Sequence, residues 1–291
     1  MELLVTLRNT RNLDKIINVV DGVIIGSEFC SGYQYTLKDL SGISEYVRKN
    51  NRKVYFVVDE FISEDELSRL NVYLEYLASL KPDGIYFHDF AVYDVATMYG
   101  LKDLLIYDGK SVLCNSLETS YFLSKGLNGV VISSVLTIEE VEKIIKACPK
   151  KIDMQIFGHL RLSSSKRKFV TNYLKQIKSP IVDIKDKKLT IVEEQRKDEM
   201  PILEDHNGTK IYSDYIFETY NEIPELSEYL NRGIIDTLFI EDTMILQVLR
   251  DYRKITNENS SFLKERLYTT SDKPVSSGFL YIKTNITKED E

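Results

Sequence analysis

Two of the chain's three histidines, His88 and His159, stand at the ends of apolar, strand-like runs. His88 follows Gly84–Phe87 and precedes Asp89. An imidazole beside a carboxylate can serve as a general base or a metal ligand. The same pair also reads as a histidine satisfied by hydrogen bonds at a polar strand end. No HxxxH or HxH spacing accompanies it, so the sequence names no metal. His159 follows Gly158, where the run Ile152–Phe157 breaks. Beyond it, Ser163-Ser164-Ser165-Lys166-Arg167 can cap a helix and offer backbone N–H groups and two cations to a carboxylate or phosphate. A capped surface helix is the plain structural alternative. No GxSxG elbow makes any of these serines a nucleophile. The third histidine lies in His206-Asn207-Gly208-Thr209, where Asn-Gly is a tight-turn signal by itself.

Charge narrows the partners. The 291 residues carry a net −7, so the surface as a whole is not built to wrap nucleic acid. From Lys143 to Lys178, however, ten Lys and Arg face the single acid Asp153. Such a segment fits an anionic partner, tRNA included, or a solvated basic helix face. The cysteines, Cys30, Cys114 and Cys148, are far apart and have neither zinc nor iron–sulfur spacing. They read as free thiols of a reducing compartment. No apolar run approaches a membrane span, and no basic region precedes a long apolar core at the N-terminus. The expected location is the cytoplasm, with no membrane contact.

The elements that must position these residues alternate in type. Short runs rich in β-branched residues occur at Glu2–Leu7, Gly22–Ser27, Lys53–Val58, Gly84–Phe87, Leu104–Tyr107, Gly129–Ser133, Ile152–Phe157 and Thr237–Glu241. Amphipathic stretches separate them, opened by capping boxes at Ser63 and Thr137. Strands buried on both faces between helices predict a parallel sheet. Eight of them predict an α/β (β/α)8 TIM-like barrel, and no GxGxxG supports a doubly wound sheet. After Tyr173 the rhythm changes. Hairpin turns at 185–188 and 204–208 predict a small β-rich insertion after strand seven, about residues 179–221. The barrel then occupies 1–257, and 258–291 forms a partly irregular extension with a short strand at Gly278–Ile282. In such a barrel the polar groups past each strand share one mouth: Glu28, Asp59-Glu60, His88-Asp89, Asp108, Ser133-Ser134, Gly158-His159 and Glu241-Asp242.

A family enters through residues already quoted. Phe157-Gly158-His159, Ser165-Lys166-Arg167 and Asn172-Tyr173 resemble the signature of the peptidase U32 (collagenase-like) family, in its short branch without cluster cysteines. Gly84-Ile85 with Asp89-Phe90-Ala91-Val92, then Asn115, then Asp205-His206-Asn207-Gly208-Thr209 follow in order, so the resemblance runs to about residue 255. It implies a barrel and a role in prephenate-dependent formation of 5-hydroxyuridine at the tRNA wobble position. It also implies a longer, cysteine-bearing paralogue as partner, which carries an iron–sulfur cluster. This chain has no cysteine from Leu160 to Tyr173, so no cofactor is expected on it, although prephenate is a possible ligand of the system. It also departs from the family at Ser134-Val135, at Asp59 and around Cys30–Tyr33. Those departures favour a subunit role over independent catalysis.

Residues and resemblance together give candidate catalytic residues His88, Asp89 and His159. The candidate substrate- or anion-binding residues are Asn115, Gly158, Ser165, Lys166, Arg167, Asn172, Tyr173 and His206. Three functions remain distinct: a component of tRNA hydroxylation, a U32-type peptidase, and a non-catalytic binding module.

Overall fold

The computed structural model describes residues 1–110, 112–181, 184, 188–194 and 198–283. The chain begins with β1 (Glu2–Thr6), α1 (Leu13–Ile16), β2 (Gly22–Ile25), α2 (Leu37–Lys49), β3 (Lys53–Val58), α3 (Leu67–Ser79) and β4 (Gly84–Phe87). It continues through α4 (Phe90–Met98), β5 (Leu105–Asp108), α5 (Ser116–Ser124), β6 (Gly129–Val131), α6 (Ile138–Ala147), β7 (Ile152–Ser165) and α7 (Phe169–Gln176). Then come β8 (Leu189–Val192), β9 (Glu199–Asp205), β10 (Gly208–Glu218), α8 (Ile223–Leu226), β11 (Arg232–Ile235), α9 (Asp242–Lys254), α10 (Ser260–Thr270) and β12 (Val275–Ser276).

Strands β1 to β7 and β11 form a closed, parallel, eight-stranded barrel, in which β11 sits between β7 and β1. Both faces of these strands are apolar because each meets a different core. Val5, Val23, Phe56, Ile85 and Leu105 point outward and pack under the helices. Leu4, Ile24, Tyr55, Tyr86, Ile106 and Val131 fill the interior. Near the N-terminal ends of the strands the interior becomes polar. Arg232 donates to Asp153 at 2.9 Å, and the Tyr86 hydroxyl donates to the same carboxylate at 2.8 Å. Burial pushes the Asp153 carboxyl up to about 6 despite Arg232.

Local chemistry starts the helices, at the expected Ser63 and Thr137 and at further caps that the sequence reading did not assign. Thr36 and Thr137 form capping boxes, and the side chains of Asp89 and Asn115 cap α4 and α5. Four expectations need correction. The eighth strand is Arg232–Ile235, not Thr237–Glu241. The Leu238-Phe239-Ile240 run is apolar but lies past the strand, with Phe239 in the left-handed region at φ 64°. Residues 258–291 contain the helix α10, which buries Leu263 and Leu267, and the short strand is Val275–Ser276 rather than Gly278–Ile282. Among the described residues of the β-rich insertion, β8 finds its antiparallel partner in β9, which follows it, rather than in a strand before the turn expected at 185–188. The turn expected at 185–188 lies largely outside the described residues.

The fourth correction concerns the stretch where β7 was expected to stop. Gly158-His159 does not end the strand, and the three serines are strand, not turn. β7 runs 14 residues. Through Phe157 it pairs with β11, and from Gly158 to Ser165 it pairs antiparallel with β10. Gly158 sits at the handover with φ 115°, and a Cβ there would stand 2.3 Å from the carbonyl oxygen of Asp236. Only glycine permits both the backbone angle and that approach. β10, β9 and β8 extend this second half as an antiparallel sheet.

Gly158→Ala is expected to destabilise the chain by about 2–4 kcal/mol, combining backbone strain and overpacking. Urea unfolding checks it, and a midpoint equal to wild type would remove the handover constraint.

Candidate active site

A cavity of about 490 Å³ opens at the C-terminal ends of the barrel strands. Its charged wall is built from residues just past those ends. Arg8, two residues after β1, lies over the Tyr33 ring at 3.9 Å. It donates to the Ser31 carbonyl at 2.8 Å and pairs with Asp236 at 3.1 Å. Asp236 directly follows β11 and also accepts from the Thr6 hydroxyl at 3.0 Å. Across the mouth, Asp59 follows β3 and meets Lys110 and Arg161, each at 3.1 Å. Lys110 also pairs with Asp108. Burial opposes charge on Asp59, but Lys110 and Arg161 outweigh it and hold the carboxyl below its ordinary range. Burial likewise opposes charge on Asp236, and Arg8 again prevails. Among the described lining residues, three cations face three carboxylates. The wall is therefore rich in N–H donors but carries little net charge.

His88 and His159 both line this cavity. The His88 Nδ1 lies 3.0 Å from the Asp108 carbonyl, and the His159 Nδ1 lies 2.7 Å from the Ser213 carbonyl. A carbonyl only accepts, so each Nδ1 carries a proton, and in the neutral ring Nε2 is the nitrogen with the lone pair. Burial holds the His159 pKa below its usual value. The two imidazoles can thus accept a hydrogen bond or a proton. Asp89 does not join His88. Its carboxylate accepts from the backbone N–H groups of Ala91 and Ile62, at 2.9 and 3.0 Å, so it caps α4 and holds the loop after β3.

The candidate binding residues scatter. Asn115 accepts from the Glu118 N–H as the cap of α5. Gly158 shapes the strand rather than the cavity wall. The Ser165 hydroxyl accepts from the Arg167 N–H at 3.2 Å. Ser163, Ser164 and Ser165 do not cap α7. Instead, the Glu204 carboxylate accepts from Val170 N and Thr171 N at 2.8 and 3.0 Å, which leaves no room for an external anion. Lys166 donates to the Phe61 carbonyl and pairs with Glu66. Arg167, Asn172 and Tyr173 are exposed on or beside α7.

His206 lies 2.9 Å from the Glu28 carbonyl, outside the cavity lining. It belongs to a clasp. Asn207 donates to the carbonyls of Glu28 and Cys30, and Asp205 accepts from Ser31 and Gly32. Lys210, fully buried, bridges Glu60 and the Ser31 hydroxyl, each at 2.7 Å. The 205–210 motif thus pins the β9–β10 hairpin to the loop after β2.

The basic segment 143–178 does not converge. Lys150 bonds carbonyls of Ser227 and Leu230 near the start of β7. Lys166 lies beyond the opposite end of that 14-residue strand. Sequence reasoning missed Arg8, Lys110, Arg161 and Asp236 as wall residues. Asp236 was hidden by the misplaced eighth strand, although a carboxylate directly after the correct strand is the signal that finds it. Among the described residues, no group of three or more His, Cys, Asp or Glu is placed to hold a metal ion.

A closed β/α barrel with its polar groups gathered at one mouth defines the class. The Peptidase family U32 model matches residues 13–290, and the chain belongs to that family. It is 27% identical over 266 residues to tRNA hydroxylation protein P2 of Bacillus subtilis (strain 168), covering 87% of this chain and 84% of that protein. It is 28% identical over 147 residues to the uncharacterized protease MJ0090 of Methanocaldococcus jannaschii, covering 48% of this chain and 35% of that one. Similarity to tRNA hydroxylation protein P of Helicobacter pylori (strain ATCC 700392 / 26695) is 24% over 165 residues, 55% of this chain and 39% of that one. No helix among the described residues is long and apolar enough to cross a membrane.

The His159 environment sets a pH dependence. Below the usual imidazole value of 6.5 the unfolded chain takes up a proton that the buried ring resists. This contribution to stability is therefore present above pH 6.5 and lost as the pH falls. His159→Gln is expected to flatten the decline of the urea midpoint between about pH 6.5 and 5. Parallel pH profiles for variant and wild type would contradict the assignment.

Proposed function

We propose that this chain is a component of tRNA hydroxylation in the cytoplasm. The likeness to tRNA hydroxylation protein P2, which covers most of both chains, carries the reading. In finer form, the chain assists prephenate-dependent formation of 5-hydroxyuridine at the wobble position, beside a paralogue that holds an iron–sulfur cluster. Two features support the subunit role. The segment from Leu160 to Tyr173 has no cysteine to offer a cluster. The mouth is of a size that suits a small molecule, and it presents positioned donors and two imidazole lone pairs rather than a nucleophile. Arg161 gives one nitrogen to Asp59, and its remaining N–H groups suit a ligand carboxylate such as those of prephenate.

The peptidase reading has less support. Both histidines give Nδ1–H to backbone carbonyls, not to a carboxylate. Among the described residues no hydroxyl or thiol is hydrogen-bonded to either ring.

Deletion of the gene should abolish or strongly reduce 5-hydroxyuridine and its derivatives in digested tRNA, read by mass spectrometry of nucleosides. An unchanged amount would overturn the proposal.

A further inference from the structure

We propose that α7 and the turn leading into it form a landing surface for unpaired nucleotides of an RNA loop beside the barrel mouth. The inference rests on the tRNA reading above and adds the surface and the mode of contact.

The helix is built unlike the others around it. It buries no residue completely. Val170, Thr171 and Leu174 are half-buried on one side. On the other, Phe169, Tyr173 and Ile177 recur at i, i+4 and i+8, with 49, 60 and 52% of their surface exposed. An apolar row this open on a helix has no partner within the described chain. From Lys166 to Lys178 there are five cations and no acid, within a protein of net charge −7. Lys166 is taken by Glu66. Arg167, Lys168, Lys175 and Lys178 are exposed and have no ion-pair partner among the described residues.

Exposed aromatic rings among free cations match the chemistry of single-stranded nucleic acid, in which bases stack on rings and phosphates meet the charges. Asn172 and Gln176, also exposed on α7, can hydrogen-bond base edges. A protein groove could cover the apolar row, but it would leave four cations to be met by acids of its own. The charge therefore favours a phosphate backbone. Because Glu204 seals the helix N-terminus, side chains and not the helix dipole make the contact. Position adds a reason. Arg161 to Ser164 line the cavity on the same strand that leads into α7, and Lys166 ties that arm to Phe61, another lining residue. An RNA loop held on α7 thus lies next to the mouth.

The test is binding of a tRNA transcript by the full-length chain, followed by fluorescence anisotropy across a salt series. Phe169→Ala with Tyr173→Ala should weaken binding at least about tenfold while keeping the salt slope. Lys168→Gln, Lys175→Gln and Lys178→Gln together should lower the slope of log K against log salt by about 2. Thermal melting at the wild-type temperature confirms that each variant is folded. Wild-type affinity and slope in both variants would overturn the inference, as would absence of tRNA binding by the unaltered chain. Retained tRNA binding with loss of a copurifying protein would give the surface to a protein partner and overturn it too. Nucleoside analysis of a deletion strain separates the two readings. Unchanged 5-hydroxyuridine on deletion defeats the functional reading, whereas unchanged RNA binding by the variants defeats only the assignment of α7.

Discussion

Strand β7 has to satisfy two sheets in succession, and much else follows from where it changes partner. Up to Phe157 it closes the barrel against β11. From Gly158 it leaves the barrel and is held by β10. The exchange needs a residue with no side chain, because the Asp236 carbonyl occupies the space of a Cβ. The Asp236 side chain in turn anchors Arg8, which stacks on Tyr33. Barrel closure, departure of the arm and one half of the charged wall therefore share a single point of contact. A buried, glycine-dependent crossing is intolerant of change, since interior packing has little slack.

The wall that results is compensated rather than charged. Asp59 sits between Lys110 and Arg161, and Asp236 faces Arg8. Pairing makes burial of these ions tolerable and fixes their orientation, since a lone buried charge is costly. The two histidines are oriented by backbone carbonyls, so their geometry depends on the positions of β5 and β10 rather than on other side chains. A second paired system, Lys210 with Glu60, lies just outside the mouth and holds the β9–β10 hairpin against it. Burial and the nearby Asp59 raise the Glu60 carboxyl, and Lys210 counters only part of that rise. The motif at 205–210 thus fastens the β9–β10 hairpin to the loop after β2.

The sequence by itself determined the barrel and the position of most of its strands. Runs such as KVYFVV and GIYF are apolar at every position, which is what a strand between two cores requires. The capping boxes at Ser63 and Thr137 are local chemistry and were readable as such, whereas Asp89 and Asn115 read as site residues and turn out to be caps. The presence of His88 and His159 at the mouth followed from strand position alone. Tertiary structure decided the rest, for reasons that local sequence does not contain. Arg232 is tolerated in a barrel strand because Asp153, its register partner on the neighbouring strand β7, pairs with it, so the charged RGII segment is the eighth strand and the apolar LFI is not. Gly158 looks like a strand end until β10 supplies a second partner. Asp89 looks available until the backbone N–H of Ile62, in another segment, engages it. The cations of 143–178 are contiguous in the chain, yet a long strand carries them to opposite ends of the molecule, because adjacency in sequence sets charge density but not its direction in space.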